Sequence, residues 1–300
     1  MSDCLWKLPF QGELRRMEPM REHTTLRVGG PADLFLEAQG EEDVVLAWRA
    51  CRECGVPLTL LGRGSNLLVL DGGIEGLVLS LGEGFAQTRV EGCALYAQAG
   101  AKLKALANLA LDAGLTGLEF AEGIPGSLGG AAWMNAGAYG GEMAQVVESL
   151  RVLDREGRCQ TLPVQELAYG YRHSRMMDEG LLVLSAKLRL QPGDRERIGA
   201  RMQELSRLRR EKQPLQYPSC GSFFKRPEGY FAGKLIQDAG LKGARVGDAQ
   251  ISTQHAGFLI NLGNASAADV IGLMRLVQKE VYERFFVRLE PEVRIVGRDL

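Results

Sequence analysis

The sequence predicts an α+β protein, and three observations lead to that fold class. Helical and strand-like segments alternate irregularly along the 300 residues, and several short strand-like runs follow one another without a long helix between them. A doubly wound α/β protein would instead place a crossover helix after nearly every strand. The 38 glycines concentrate in three places, and no internal repeat or low-complexity segment is present.

Each predicted element rests on a local pattern. Residues 41–54 predict an amphipathic helix with Val44, Val45, Trp48 and Cys51 on one face. Short runs rich in Leu and Val between glycine-rich turns predict strands. The other predicted elements are, in order, strands at 57–61, 66–70, 76–81 and 94–99, a helix at 101–114 closed by Gly114, a hairpin at 149–162, a strand at 181–190, and helices at 194–212, 231–239 and 266–286, with a last strand at 293–297.

Composition and charge exclude several classes of protein. Lys and Arg number 36 and Asp and Glu 37, so no overall field favours nucleic acid or an anionic membrane as a partner. The opening MSDCLWKLPF lacks the basic and apolar regions of a signal peptide, and no apolar run approaches the length of a membrane span. We therefore expect a cytoplasmic protein.

Cysteine and histidine patterns do not favour a metal site. Cys51 and Cys54 form a CxxC that can bind zinc or do redox chemistry, but no second pair follows and both fall in the helix predicted at 41–54. We expect packing thiols there, because free cysteines are usually buried and inert. None of His23, His173 and His255 has a second ligand at metal-binding spacing.

Three glycine-rich segments share one chemistry. They are residues 61–69 (LGRGSNLLV), Ala99–Ala101, and residues 123–143 (GIPGSLGGAAWMNAGAYGGEM). Small residues and exposed backbone N–H groups suit a pyrophosphate, although each segment alone can equally be a tight turn. The first lacks the third glycine of the NAD fingerprint, and no GK[ST] sequence is present. Together the three segments favour a dinucleotide.

The chain then resembles a known family over 24–297. The motifs that carry the resemblance, in order, are TTLRVGGPADLFL, LGRGSNLLVLDGGIEGLVL, GLEFAEGIPGSLGGAAWMNAGAYGGEM, YGYRHSR, PSCGSFFKRP and LEPEVRIVG. They are similar to the UDP-N-acetylenolpyruvoylglucosamine reductases, also called UDP-N-acetylmuramate dehydrogenases. The short chain between Tyr171 and Leu181 resembles the branch without a tyrosine-bearing insertion.

The resemblance implies a fold, cofactors and partners. It implies an FAD-binding fold of the p-cresol methylhydroxylase/vanillyl-alcohol oxidase type in two α+β subdomains, 1–55 and 56–192, and a substrate-binding domain, 193–300, whose last strand (about 290–298) returns to the first subdomain. NADPH is the implied electron donor, and it shares one pocket with the UDP-sugar substrate. FAD is expected to be non-covalent, because position 65 is Ser and residues 123–143 contain no His or Cys. A monomer is favoured.

The implied reaction reduces a vinyl ether that carries a carboxylate, for peptidoglycan synthesis. Arg172, in YRHS, matches the residue that holds the carboxylate and stabilises the developing charge, although such an Arg can also be a surface residue at a strand edge. Ser222, in CGSFF, matches the proton donor. Glu292, in EPEVR, matches the catalytic glutamate, and Glu290 would share its strand face.

Binding residues follow from the glycine segments and the resemblance. The predicted cofactor-binding residues are Leu61, Gly62, Arg63, Gly64, Ser65, Asn66, Leu67, Gly100, Gly123, Ile124, Pro125, Gly126, Ser127, Gly129, Gly130, Asn135 and Gly137. The predicted substrate-binding residues are Tyr171, Lys212, Lys225 and Arg226. Lys212 ends the basic run Arg207, Arg209, Arg210 and Lys212, which is usually a solvated helix face. Arg226 stands where some relatives carry Asn.

Two other classes of protein stay open at this point. A flavin-carrying electron-transfer subunit would need the glycine segments but not Arg172, Ser222 and Glu292, and all three are present. A nucleotide-sugar-binding module without redox chemistry would not need segments suited to FAD. The visible spectrum of the purified protein separates this second alternative from a flavoprotein.

Overall fold

The computed structural model describes residues 2–299 and shows an α+β architecture, which confirms the predicted fold class. The helices are α1 (Glu41–Cys54), α2 (Leu103–Asp112), α3 (Leu128–Trp133), α4 (Arg175–Glu179), α5 (Arg195–Lys212), α6 (Ala232–Asp238) and α7 (Ala267–Phe285). The strands are β1 (Leu14–Pro19), β2 (Pro31–Glu37), β3 (Leu58–Leu61), β4 (Leu67–Val69), β5 (Ile74–Ser80), β6 (Thr88–Glu91), β7 (Ala94–Gln98), β8 (Leu115–Thr116), β9 (Gly137–Ala138), β10 (Gly141–Glu142), β11 (Val147–Leu153), β12 (Cys159–Pro163), β13 (Leu182–Arg189), β14 (Gln191–Pro192), β15 (Ser219–Ser222), β16 (Arg245–Val246), β17 (Ala249–Ile251), β18 (Phe258–Asn261) and β19 (Arg294–Val296).

The chain divides into two compact units, each built from separate stretches of sequence. The first unit contains residues 1–15, 35–63 and 76–209, and the second contains residues 16–34, 64–75 and 210–300. The three-part division at 55 and 192 stays a prediction.

The first unit is organised around an antiparallel sheet with the strand order β12-β11-β13-β7-β6. Strands β11 and β12 form the predicted hairpin, with Leu153 opposite Cys159. Helices α2 and α3 bury Leu103, Leu106 and Leu128 in the core that this sheet shares with α5. Strand β3 pairs in parallel with β5, with Leu60 opposite Leu79.

The second unit contains the antiparallel sheet β15-β18-β17-β16 and the helices α6 and α7. Ser266 caps α7, where its side chain accepts a hydrogen bond from the N–H of Asp269. The Asp71 carboxylate also accepts from the N–H groups of Ala267 and Ala268 at the same helix end. Strand β19 pairs in parallel with β4, so the last strand lies beside the segment that follows Gly64.

The structure corrects one prediction about the cysteines. Cys51 is a buried free thiol, as expected, and burial raises its pKa to about 11. Cys54 instead forms a disulfide with Cys4, which lies in a 3₁₀ helix, Ser2–Lys7, that packs against α1. The prediction of a packing thiol at Cys54 is therefore wrong, because its partner lies fifty positions away and leaves no local signal.

Two further properties concern the described residues as a whole. Between residues 2 and 299, no helix combines the length and apolar character needed to cross a membrane. Within the same range, no three His, Cys, Asp or Glu side chains cluster as metal ligands would.

Candidate active site

The first unit brings the predicted glycine segments together. The backbone around Ala99–Ala101 is hydrogen-bonded to the start of the third segment: Leu103 donates its N–H to the Gly126 carbonyl, and Leu128 and Gly129 donate to the carbonyls of Ala101 and Ala99. The end of β3 joins them, because a Cβ placed on Gly62 would lie 2.6 Å from the Ser127 Oγ. Segments that are separate in the sequence therefore form one surface.

Close packing explains why glycine occupies several of these positions. A Cβ on Gly129 would lie 2.7 Å from the Cβ of Ala99, and one on Gly100 would lie 2.2 Å from the carbonyl oxygen of Gly82. Both distances are too short for any side chain without a shift of the backbone. The absence of a side chain at Gly129 and Gly100 thus lets neighbouring segments of the chain pack closely, which is a structural role.

Other groups at this surface are suited to a phosphate. Within the described part of the chain, the N–H groups of Gly62, Gly126 and Ser127 donate to no other protein group. Backbone N–H groups without a protein acceptor are the donors that pyrophosphate-binding loops use. The residues present therefore fit an FAD pyrophosphate.

Sequence reasoning missed Arg209 in this unit. It belongs to the basic run of α5, which the pattern predicts as a solvated face, yet its Cδ lies 2.8 Å from the position of a Cβ on Gly123. Burial lowers the pKa of Arg209, and the nearby Tyr139 and Glu122 oppose that shift. The signal that points to Arg209 is the glycine at 123, but only the fold connects the two positions.

Arg172 lies in a tight turn of the first unit. Gly170 and His173 exchange two backbone hydrogen bonds of 3.1 and 3.3 Å, and Arg172 has a left-handed backbone with φ of +53°. Its guanidinium donates to the carbonyl of Gly137 at 3.3 Å and stacks 5.1 Å from the ring centre of Tyr171. The predicted catalytic arginine is therefore attached to the third glycine segment, and Tyr171 is its neighbour.

Asn135 belongs to the same arrangement. Its side-chain Nδ2 donates to the carbonyl of Gly170 at 3.0 Å, and its Oδ1 accepts from the N–H of Ala144 at 2.9 Å. The residue is 1 % exposed and has φ of +48°. Protein backbone thus occupies both functions of this amide, while the predicted contact between Asn135 and the cofactor stays a prediction.

The second unit brings Ser222 and Glu292 close together. Phe224 and Pro291 form an isolated antiparallel bridge, and Glu292 donates its N–H to the carbonyl of Phe223, next to Ser222. Asn66 joins this pair by donating its side-chain amide to the Glu292 carbonyl at 3.0 Å. The backbone that follows the predicted proton donor is therefore hydrogen-bonded to the backbone of the predicted glutamate.

Two observations describe the setting of Ser222 and Glu292. Ser222 is exposed at the end of β15, after a break in the register between β15 and β18. The buried thiol of Cys220 has a pKa of about 12, raised mainly by burial and further by the charge of Glu292. The Glu292 carboxylate therefore adds negative potential beside this strand.

The predicted substrate-binding residues have varied surroundings. Lys225 forms an ion pair with Glu290 at 3.4 Å, and Arg226 stacks over the ring of Phe231 at 4.2 Å. Lys212 ends α5, and Tyr171 is 56 % exposed. Their binding roles stay predictions.

His255 has a structural setting within the second unit. Its Nδ1 accepts the N–H of Gly257 at 3.0 Å, and its ring meets that of Phe258 edge to face. Burial lowers the pKa of His255. These contacts indicate a structural role for His255.

Comparisons with known proteins agree with the motifs. Residues 32–163 match the family described as FAD binding domain, and residues 213–296 match the family described as UDP-N-acetylenolpyruvoylglucosamine reductase, C-terminal domain. A UDP-N-acetylenolpyruvoylglucosamine reductase of Clostridium novyi is 50 % identical over 96 % of this chain and 93 % of its own length. The chain belongs to the UDP-N-acetylenolpyruvoylglucosamine reductase family.

Two further members of that family extend the comparison. The reductase of Pediococcus pentosaceus is 51 % identical, and the alignment covers 94 % of either chain. The crystal structure of the reductase from Thermus caldophilus has a TM-score of 0.82 and 39 % identity, and covers 96 % of this chain and 99 % of its own. The predicted family, the predicted fold and the prediction of an FAD-dependent oxidoreductase are thereby confirmed.

Proposed function

We propose that this chain reduces the enolpyruvyl group of UDP-N-acetyl-3-O-(1-carboxyvinyl)-glucosamine to UDP-N-acetylmuramate, with NADPH as electron donor, in the synthesis of peptidoglycan precursors. One observation carries the proposal. The turn that holds Arg172 is hydrogen-bonded to the same glycine-rich segment whose start offers N–H groups to a pyrophosphate. A cation suited to a carboxylate thus belongs to the same unit as the FAD-type surface.

When bound, FAD would supply the hydride chemistry that couples oxidation of NADPH to reduction of the substrate. The chain itself has to hold the cofactor and the substrate. Gly62, Gly126 and Ser127 offer their backbone N–H groups to the pyrophosphate. Arg172 binds the substrate carboxylate through paired N–H groups and stays charged throughout, because a guanidinium does not lose its proton at physiological pH.

Addition of hydride to the terminal carbon leaves negative charge on the neighbouring carbon and its carboxylate. The fixed charge of Arg172 stabilises this species, and such preorganised stabilisation is usually the largest contribution to catalysis. The Ser222 hydroxyl then donates its proton to that carbon. Glu292, whose backbone is hydrogen-bonded to the residue after Ser222, then passes a proton to the Ser222 oxygen and so restores the hydroxyl.

Three finer points belong to the same proposal. NADPH and the sugar nucleotide use one pocket in turn, since both react at the same position of the flavin. Lys212, Lys225 and Arg226 bind the UDP part of the substrate with their cationic groups. The protein acts as a monomer in the cytoplasm.

An anaerobic titration tests the proposal. NADPH should bleach the flavin absorbance of the purified protein, and the enolpyruvyl sugar nucleotide should restore it with one equivalent of UDP-N-acetylmuramate formed. Bleaching without restoration by that substrate would favour an electron-transfer subunit. A colourless protein that still binds the sugar nucleotide would favour a binding module.

A further inference from the structure

Residues 133–144 and residues 168–174 of the first unit are held together around Arg172. The stretch 133–144 contributes backbone carbonyls at Trp133 and Gly137, which accept hydrogen bonds from the Ser174 hydroxyl and the Arg172 guanidinium. In the other direction, Asn135 donates its side-chain amide to the Gly170 carbonyl at 3.0 Å. The turn that contains Arg172 is therefore held by hydrogen bonds at Gly170, at Arg172 itself and at Ser174.

Backbone strain concentrates in these two stretches. The described residues include seven non-glycine positions with positive φ, and four of them are Asn135 (+48°), Tyr139 (+53°), Ala168 (+45°) and Arg172 (+53°). Such conformations persist only where the surroundings impose them, and they cluster at sites whose geometry matters. The shape of the Arg172 turn is thus maintained by contacts from outside the turn.

Asn135 is the side chain with the properties that this position needs. It offers a donor to Gly170 and an acceptor to Ala144 at the same time, and asparagine tolerates the left-handed backbone better than most residues. Aspartate would keep the acceptor and the backbone but lose the donor. Glycine would keep the backbone and lose both hydrogen bonds.

We infer that Asn135 is a positioning residue for Arg172: by holding the Gly170 carbonyl, it fixes the turn that aims the guanidinium at the substrate carboxylate. The inference rests on the proposed role of Arg172. Asn135 acts through the turn: protein backbone takes up both hydrogen-bonding functions of its amide, so the inference assigns it this role in place of the predicted contact with the cofactor. Its effect should therefore appear where Arg172 acts, in the step that uses the carboxylate substrate, and should be absent from the step that uses NADPH.

The test compares Asn135→Asp, Asn135→Gly, Arg172→Ala and the double variant Asn135→Asp/Arg172→Ala with the wild-type holoenzyme. Asn108→Asp is the matched control, because it adds the same charge on the exposed face of α2 in the same unit. For each protein, stopped-flow absorbance gives the rate of flavin reduction by NADPH and the rate of reoxidation by the enolpyruvyl substrate. Flavin content and the equilibrium dissociation constant of the enolpyruvyl substrate are measured in parallel.

We expect both variants at position 135 to keep their FAD and to be reduced by NADPH within about twofold of wild type. Reoxidation should slow, and substrate binding weaken, by about tenfold or more, since a displacement of about 1 Å in a catalytic group costs up to about 10²-fold. The double variant should be no slower than Arg172→Ala alone, because the two residues serve one interaction.

Lowering the pH should partly restore the reoxidation rate of Asn135→Asp. The introduced carboxyl group faces a carbonyl oxygen in a buried place, and both features raise its pKa. Once protonated it can donate to the Gly170 carbonyl, so its defect in reoxidation should shrink between about pH 8 and about pH 6. Asn135→Gly, which has no such group, should show the same defect at both values of pH.

Three results would overturn the inference. Equal slowing of both half-reactions, or loss of FAD, in both variants would mean that Asn135 merely maintains the fold. Additive losses in the double variant would mean that it acts independently of Arg172. Normal reoxidation in Arg172→Ala would remove the role of Arg172 on which the inference rests. The proposed function would still stand in that case, provided that the wild type carries out both half-reactions.

Discussion

The hydrogen atom in place of a side chain at Gly62 lets the end of β3 approach Ser127. With a Cβ at 62, the Ser127 Oγ would lie at 2.6 Å and the Ser127 Cβ at 3.8 Å, so the conflict involves the hydroxyl alone. Substitutions at Gly62 and Ser127, made singly and together, can therefore show whether an added Cβ acts through the Ser127 hydroxyl. The glycine-rich pattern predicts that backbone approaches backbone, and the structure identifies the side chain that sets the limit.

We expect Gly62→Ala to reduce FAD occupancy, because it displaces the Ser127 hydroxyl and the nearby N–H groups. The double variant Gly62→Ala/Ser127→Ala should recover FAD binding to the level of Ser127→Ala alone, since the remaining contact of 3.8 Å is ordinary. FAD affinity is measured by flavin fluorescence during reconstitution of the apoprotein. Gly40→Ala is the control, because a Cβ there meets nothing within 4 Å. Full occupancy in Gly62→Ala would separate this glycine from the cofactor.

Ser222 offers a second test at the scale of one residue. Ser222→Ala keeps the backbone hydrogen bond between Glu292 and Phe223 and removes only the hydroxyl. NADPH should reduce the flavin of this variant at nearly the wild-type rate, because that step needs no proton at the substrate carbon. Reoxidation by the enolpyruvyl substrate should slow by at least about 10²-fold, the lower end for loss of a positioned general acid. Stopped-flow absorbance follows both steps, and unchanged reoxidation would remove Ser222 from the mechanism.

Among the elements, local patterns predicted the five longest helices but missed the short helices α3 and α4. Helix α1 has the predicted bounds, and α7 begins after Ser266 and ends before Phe286, because caps and apolar periodicity are local properties of a sequence. The short strands β8, β9, β10, β14 and β16 had no such signal, since two-residue strands exist only through their partners. The 3₁₀ helix at Ser2–Lys7 and its disulfide were missed for the same reason.

The Cys4–Cys54 disulfide gives a prediction at this scale. Thiol titration of the denatured, unreduced protein should find four free cysteines, and titration after reduction should find all six. Reduction, or Cys4→Ser, should lower the free energy of unfolding by about 2–4 kcal/mol, the range typical for a native disulfide. Cys93→Ser, at an exposed free thiol, is the control and should change it little. Six free thiols before reduction would contradict the pairing.

For the whole molecule, the sequence indicated the family and its chemistry but not the arrangement of the chain. The glycine segments were recognisable from their own chemistry, whereas the roles of Arg172, Ser222 and Glu292 followed only from the resemblance of their motifs to the family. The division into two units, each assembled from three separate stretches, was not predicted. The pairing of β4 with β19 joins residues more than two hundred positions apart, and no local pattern encodes such a partner.

The proposed use of one pocket by both substrates predicts the kinetics of the whole enzyme. Double-reciprocal plots with NADPH varied at several fixed concentrations of the enolpyruvyl substrate should give parallel lines, as expected when the first product leaves before the second substrate binds. Each substrate in excess should inhibit competitively against the other. Intersecting lines without such inhibition would indicate two separate sites.

The interleaving of the second unit has a consequence for synthesis on the ribosome. Asp71 leaves the ribosome long before Ala267, the helix end that it caps 196 positions later, and β4 has to wait for β19 near the end of the chain. The unit therefore has high contact order and closes only after nearly all of the chain has emerged, so its apolar surfaces stay exposed meanwhile. A fragment that starts at residue 210 lacks these partners, and it should remain unfolded when expressed alone.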